Sequence, residues 1–166
     1  MGIRNYLIEG VSGSGKTSVC DELQRRGHHA IHGDRELAYQ GDPDTGEPLD
    51  GFSHEHHIWN IEKVGALAAD HSQAASFFCG GCRNLPRFID VFDQILVLEI
   101  DLDTLNRRLA ARPGDEFGAK QAERDMIARL HSMKDDNLKD AISIDATQPI
   151  AKVADEILSI CATRGQ

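Results

Sequence analysis

Residues 10–17 read Gly10-Val11-Ser12-Gly13-Ser14-Gly15-Lys16-Thr17. The spacing is G-x-x-x-x-G-K-T, that of a loop built to hold phosphate. Its glycines let backbone N–H groups turn toward an anion without Cβ clashes. Ser18 leads into a helix-compatible stretch that runs to Arg26. The positive dipole end of such a helix strengthens the anion site. Lys16 offers a point charge to the β- and γ-phosphates, and the Thr17 hydroxyl is a ligand for Mg²⁺. The chemistry implied is the binding of a nucleoside triphosphate; what becomes of its phosphate needs other residues.

The elements that must position this loop are readable on both sides. An apolar run, Tyr6-Leu7-Ile8, enters it, and Gly27 stands where a helix C-cap falls. Strands are expected at 3–9, 29–32, 75–79, 94–100 and 141–145. The run Gln94-Ile95-Leu96-Val97-Leu98-Glu99-Ile100 is almost continuously apolar, as a strand buried on both faces would be. Helices are expected at 16–26, 55–70, 85–92, 102–112, 119–138 and 150–162. Asp101 and Asp103 suit the start of the fourth of these. Ile150, Val153, Ala154, Ile157 and Leu158 give the last one a core-facing stripe. Strands alternating with helices imply an α/β, three-layer fold around a five-stranded parallel sheet. Ligands then bind beyond the carboxyl ends of the strands. The Gly-, Pro- and Asp-rich residues 40–53 read as loop, and 113–118 as a break between helices.

A length of 166 residues fits one domain spanning 1–166, with a core of ordinary size. Net charge is −9, which argues against a nucleic-acid polymer as partner. No apolar stretch reaches the roughly 18 residues of a membrane span. The first residues, Met1-Gly2-Ile3-Arg4-Asn5, lack the apolar region of a signal peptide and the Ser or Thr of a myristoylation signal. No membrane partner is expected, and the cytoplasm is the expected location. Cys20, Cys79, Cys82 and Cys161 are then expected as thiols. Cys79-Gly80-Gly81-Cys82 has C-x-x-C spacing, but no second pair completes a tetrahedral metal site.

Taken together, the chain resembles the small P-loop kinases: adenylate kinase, shikimate kinase, gluconate kinase and their relatives. Beyond the phosphate loop, four places carry the likeness. His32-Gly33-Asp34 stands where shikimate-kinase-like proteins hold Asp-x-Asp. The resemblance implies that Asp34 binds the acceptor hydroxyl, while His32 replaces the aspartate that helps hold Mg²⁺. Cys79-Gly80-Gly81-Cys82-Arg83 resembles the third-strand turn of the group, with Arg83 on the arginine that grips the acceptor. Cys79 replaces the aspartate of the adenylate kinase version, so Mg²⁺ rests mainly on Thr17, phosphate oxygens and water. Arg107-Arg108-Leu109-Ala110-Ala111-Arg112, with Arg129 beyond, resembles a short lid at about 112–119 and its flanking arginines. In that reading Arg112 and Arg129 act in transfer and Arg108 contacts the nucleotide, cations arriving on closure being what a phosphoryl transition state needs. Ile144-Asp145-Ala146-Thr147 resembles the strand-to-helix loop whose backbone, at Ala146, packs against adenine.

The acceptor side is expected at about 35–73. From 36 to 82 there is no arginine and one lysine, Lys63, so a phosphate-bearing acceptor would have only Arg35, Arg83 and Arg87 nearby. A hydroxyl acceptor needs a carboxylate to orient or deprotonate it, and Asp34 suits that role. Gly80, Gly81 and the His-rich stretch His54-Glu55-His56-His57 would help bind it. His54 and His57 would share a helical face, whether solvated, on the acceptor or, least expected, on a metal. Trp59 either packs in the core or, like Phe52, offers a flat surface to a ring. The reading favoured is an ATP- and Mg²⁺-dependent kinase of a small hydroxyl acceptor such as a nucleoside or sugar-like molecule, as a monomer or homodimer. A nucleoside monophosphate kinase and a nucleotide-binding module with little chemistry are the alternatives.

Overall fold

The computed structural model describes residues 4–10, 15–51, 54–70, 75–101, 103–104, 107 and 141–164. Strand β1 (Arg4–Glu9) enters the phosphate loop, and helix α1 (Lys16–Arg25) leaves it. There follow β2 (His29–His32), the single turn α2 (Gly33–Glu36), β3 (Ala38–Gln40), β4 (His57–Trp59) and α3 (Ile61–Ala69). The chain then forms β5 (Ala75–Cys79), β6 (Gln94–Glu99), β7 (Ile142–Asp145) and α4 (Ile150–Arg164).

Five of these strands form one parallel sheet in the order β2-β5-β1-β6-β7. The expected sheet strands are therefore all present, within a residue at each end. Period-two alternation sends the side chains of β1 to two separate cores. Tyr6 and Ile8 pack with Val19 and Leu23 of α1 and Val153 and Ile157 of α4. Leu7 packs on the opposite face with Trp59, Val64, Phe78 and Phe88. Among the described residues, α1 and α4 thus cover one face, and α3 with the β3–β4 hairpin covers the other.

The register fixes where the site lies. Ile8 and His32 both pair with Cys79. The residues that follow, Glu9-Gly10, Gly33-Asp34 and Gly80-Gly81, therefore leave the sheet at one level. Gly80 N–H also donates to Ile8 O at 3.0 Å, tying the turn after β5 to the central strand.

Two expected helices are corrected. Residues 57–59 are strand: β4 pairs antiparallel with β3, Ala38 opposite Trp59 and Gln40 opposite His57. Ile58 and Trp59, adjacent and both fully buried, suit a strand covered on both faces, and that pairing outweighs the helical spacing of the histidines. His54 lies in a 3₁₀ turn (His54–His56) and His57 in β4, so the two share no helical face. The helix starts instead at Ile61, capped by Asn60, whose Oδ1 accepts from Lys63 N–H at 3.1 Å. The expected helix at 85–92 is two 3₁₀ turns, Leu85–Arg87 and Ile89–Val91. Phe88 breaks them with φ −142°, which turns its ring into the core against Trp59 and Phe92. Asp101 caps the stretch after β6 as expected, its Oδ1 accepting from Thr104 N–H at 2.7 Å. Most of the expected helix at 102–112 and all of that at 119–138 lie outside the described residues.

Candidate active site

The loop side of the site is built by the start of α1. Gly15 is its N-cap at φ +107°, a conformation that costs glycine little and strains other residues. The first turn carries no side-chain cap and no acidic residue. Its leading N–H groups are therefore compatible with an anion rather than already claimed by a carboxylate. Lys16 Nζ donates to the carbonyl of Gly10, holding the lysine across the mouth of the loop. Thr17 and Ser18 are exposed on the same turn. Ser12, Gly13 and Ser14 lie outside the described residues.

The opposite side is assembled around Asp34 on α2. His57 Nε2 lies 3.0 Å from Asp34 Oδ1, with side chains 28% and 45% exposed. Partial burial raises the Asp34 carboxyl. The His57 hydrogen bond and the charges of Lys16 and His57 outweigh it, so the group is held below its ordinary value and stays ionised. Lys16 is near enough for its charge to lower the Asp34 carboxyl, and the register brings Gly10 and Gly33-Asp34 to one level of the sheet.

The turn after β5 closes this wall. Arg83 N–H donates to His57 O at 2.9 Å. Asn84, buried, brackets Trp59: its Oδ1 accepts from Trp59 N–H at 3.0 Å and its Nδ2 donates to Trp59 O at 2.9 Å. Gly80 has φ +146°, and a Cβ there would stand 2.8 Å from both Asp34 Oδ1 and the Trp59 ring. Only glycine lets this turn pass so close to the carboxylate. Gly81 sits beside Glu9, whose Oε1 would be 3.3 Å from an added Cβ.

The expected acceptor residues Asp34, His57, Gly80, Gly81 and Arg83 are thus brought together, with Lys16 opposite. Arg35 is exposed on α2 next to Asp34. Trp59 is placed otherwise than a stacking surface requires. Its ring is fully buried, stacked on Phe88 at 6.2 Å between centroids. The core reading of Trp59 holds, and no ring can lie on it. Its Nε1 forms no hydrogen bond, yet the indole edge is close enough to Asp34 to help keep the carboxylate ionised. We read this as a through-space contact, since the geometry of a formed bond is not met.

His32 Nε2 lies 2.9 Å from Asp21 Oδ1 on α1. Among the described residues, no group of three or more His, Cys, Asp or Glu side chains converges as a metal cage. The donor set fits a cation held by Thr17 together with phosphate oxygens, and no more than that from the described chain. The cysteines are free thiols. Cys79 is raised by its contact with Cys20 and by burial, and Cys82 by burial and then by the Glu9 carboxylate. Neither is a poised nucleophile. Ala146 follows β7 with its N–H donated to Glu99 O at 2.8 Å, at the carboxyl edge of the sheet. Arg108, Arg112, Arg129 and Phe52 lie outside the described residues. A surface depression of about 310 Å³ behind the hairpin is lined by Glu36, Tyr39, Asn60 and Lys63 among others. It includes none of Lys16, Asp34 or Arg83 and is not this site. No described helix is long and apolar enough to cross a membrane.

Sequence reasoning missed Glu9, Asn84 and the β3–β4 hairpin. Glu9 carried a signal: a carboxylate ending an otherwise apolar strand. Asn84 carried none.

Comparison with known proteins agrees with this architecture. A family model described as the AAA domain matches residues 7–130. No curated protein matches the chain. A shikimate kinase from Acinetobacter baumannii, solved with shikimate, has a TM-score of 0.63 at 17% identity, covering 98% of this chain and 94% of that one. A gluconokinase from Sinorhizobium meliloti 1021 gives 0.59 at 18% identity, covering 98% and 93%. An unliganded sugar kinase from Janibacter sp. HTCC2649 gives 0.57 at 19%, covering 95% and 93%. At these identities the likeness is one of fold, and the fold is that of the small P-loop kinases.

Proposed function

The chain belongs to the AAA domain family, and from that premise we propose an ATP-dependent small-molecule kinase. It transfers the γ-phosphoryl group to a hydroxyl of a nucleoside or sugar-like acceptor. The observation that carries this reading is the ionised Asp34, fixed by His57 at 3.0 Å and electrostatically coupled to Lys16 across the site. A carboxylate facing a phosphate-binding lysine suits a donor that must meet an acceptor O–H. The fold likeness to a shikimate kinase and a gluconokinase supports the same class, since both names denote transfer to small molecules.

In this scheme Lys16 leaves the Gly10 carbonyl for the β- and γ-phosphates, and the opening N–H groups of α1 hold their oxygens. Thr17 would hold Mg²⁺, which when bound neutralises charge on the phosphates. Asp34 binds and orients the acceptor hydroxyl, and His57 keeps Asp34 in one rotamer. Arg83, with Arg35, fixes the acceptor's polar groups. Gly80 and Gly81 let the acceptor approach the backbone. On the sequence resemblance, Arg112 and Arg129 supply charge to the transferred group, Arg108 binds the nucleotide, and Ala146 lies against adenine. Holding both reactants in line is the larger part of the catalysis, because phosphoryl transfer asks little covalent chemistry of the protein.

The test is a transfer screen with ATP against gluconate, shikimate and a set of nucleosides, with nucleoside monophosphates beside them. Transfer to a hydroxyl acceptor that is abolished in Lys16→Ala supports the reading. Transfer confined to nucleoside monophosphates, or ATP binding with no transfer, would replace it.

A further inference from the structure

Glu9 lies on the acceptor face of the site, a place the phosphate loop does not require. Within β1, Tyr6 and Ile8 face the α1–α4 core and Leu7 faces Trp59 and Phe78. Alternation puts Glu9 on the face of Leu7. That face carries Asp34, the hairpin and the turn from Gly80 to Asn84. Glu9 is half-buried, with Oε2 sheltered from solvent. Its Oε1 borders Gly81 as Asp34 Oδ1 borders Gly80. The charge of Glu9 is felt by Cys82 in the same turn, and so is that of Asp34. Two adjacent glycines are therefore flanked by two carboxylates, one on each. Glu9 directly precedes Gly10, whose carbonyl holds Lys16, so of the two it is nearer in sequence to the phosphate loop.

The two carboxylates differ in what they can do. Asp34 Oδ1 is engaged by His57, and the group is held below its ordinary value. Such a carboxylate orients a hydroxyl well and takes its proton poorly. We propose that Glu9 is the general base of the transfer and Asp34 the group that aims the acceptor hydroxyl. The acceptor O–H proton passes to a Glu9 carboxylate oxygen as the O–P bond forms. The bond from the γ-phosphorus to its bridging oxygen breaks, its electron pair leaving with ADP. This assignment rests on the kinase reading above, leaves Asp34 in the orienting role that reading gave it, and adds the base.

The experiment compares wild type, Glu9→Gln and Glu9→Asp with ATP and whichever of gluconate, shikimate or the nucleosides wild type phosphorylates. Calorimetric ATP binding and thermal unfolding are measured beside kcat, acceptor KM and the pH profile of kcat. Glu9→Gln is expected to fold and bind ATP like wild type, with kcat lowered about 100-fold or more and acceptor KM within about 3-fold. Its kcat should lose the acid limb set by Glu9 and keep only that of the depressed Asp34, and Glu9→Asp should recover part of the rate with the Glu9 limb present. Should Glu9→Gln fail to fold, Glu9→Asp decides: lowered kcat with the acid limb displaced supports the base, and unchanged kcat overturns it. A Glu9→Gln enzyme within about 3-fold of wild-type kcat, or one slowed with an unchanged pH profile, overturns the assignment and leaves the kinase reading standing. Wild type that binds ATP but phosphorylates no hydroxyl acceptor overturns both.

Discussion

His57 Nε2 and Asp34 Oδ1 meet at 3.0 Å across 23 residues of sequence. The contact exists because β4 returns antiparallel to β3, setting His57 opposite Gln40 and beside α2. A short hairpin thus takes a solvent-facing aspartate and gives it one orientation. We expect His57→Ala to lower kcat/KM for the acceptor by about 10-fold, with ATP binding unchanged. The sign of the pH effect is defined. The Asp34 carboxyl is depressed, so its ionised form persists as pH falls below the ordinary carboxylate range. Without His57 burial is opposed only by Lys16 and Trp59, so the group protonates at a higher pH than in wild type. The acid limb of kcat/KM should move up in pH, read from a profile at saturating ATP. By the same sign, any stability that ionised Asp34 contributes is present above the ordinary value and lost as pH falls through the depressed one.

Asp34→Asn keeps the shape of the side chain and removes its charge. Transfer should fall by about 100-fold or more while ATP affinity holds. Parallel calorimetric titration and transfer kinetics would show it.

Gly80→Ala tests the close approach of the turn. The new Cβ would stand 2.8 Å from Asp34 Oδ1 and from the Trp59 ring, at φ +146°. Either the carboxylate or the backbone must move. A loss of about 1–3 kcal/mol is expected, measured by denaturant unfolding. Acceptor KM should rise more than ATP Kd, because the collision falls on the acceptor side.

Trp59 is the single tryptophan and fully buried. Its emission should be blue-shifted in the native protein and move red on unfolding. Trp59→Ala should cost about 3–5 kcal/mol, since the ring fills the space between Phe88, Gly33 and Gly80. Circular dichroism would follow that variant, which lacks the fluorophore.

Much of this was legible in the chain. The phosphate loop is a local motif flanked by strand and helix signals, and the five sheet strands are short apolar runs between breakers. Asp34, Gly80 and Arg83 could be placed because each follows a strand end, and strand ends converge in a parallel sheet. What failed was non-local. His57-Ile58-Trp59 is too short to reveal a strand, and its partner Ala38-Tyr39-Gln40 carries no matching pattern. Burial of Trp59 depends on Asn84 bracketing its backbone from a turn 25 residues away, which no spacing rule reports. Glu9 looked like the polar end of a strand until the register set it beside Gly81.

On the proposed function, Lys16 and Asp34 act together to pass a phosphoryl group to a hydroxyl. The most direct measurement is transfer of label from γ-labelled ATP to the hydroxyl acceptor panel by wild type, Lys16→Ala and Asp34→Asn. Labelled product is expected from at least one hydroxyl acceptor with wild type, none above background with Lys16→Ala, and a trace with Asp34→Asn. Label appearing only on nucleoside monophosphates, or at wild-type rate in the Asp34→Asn protein, would contradict it.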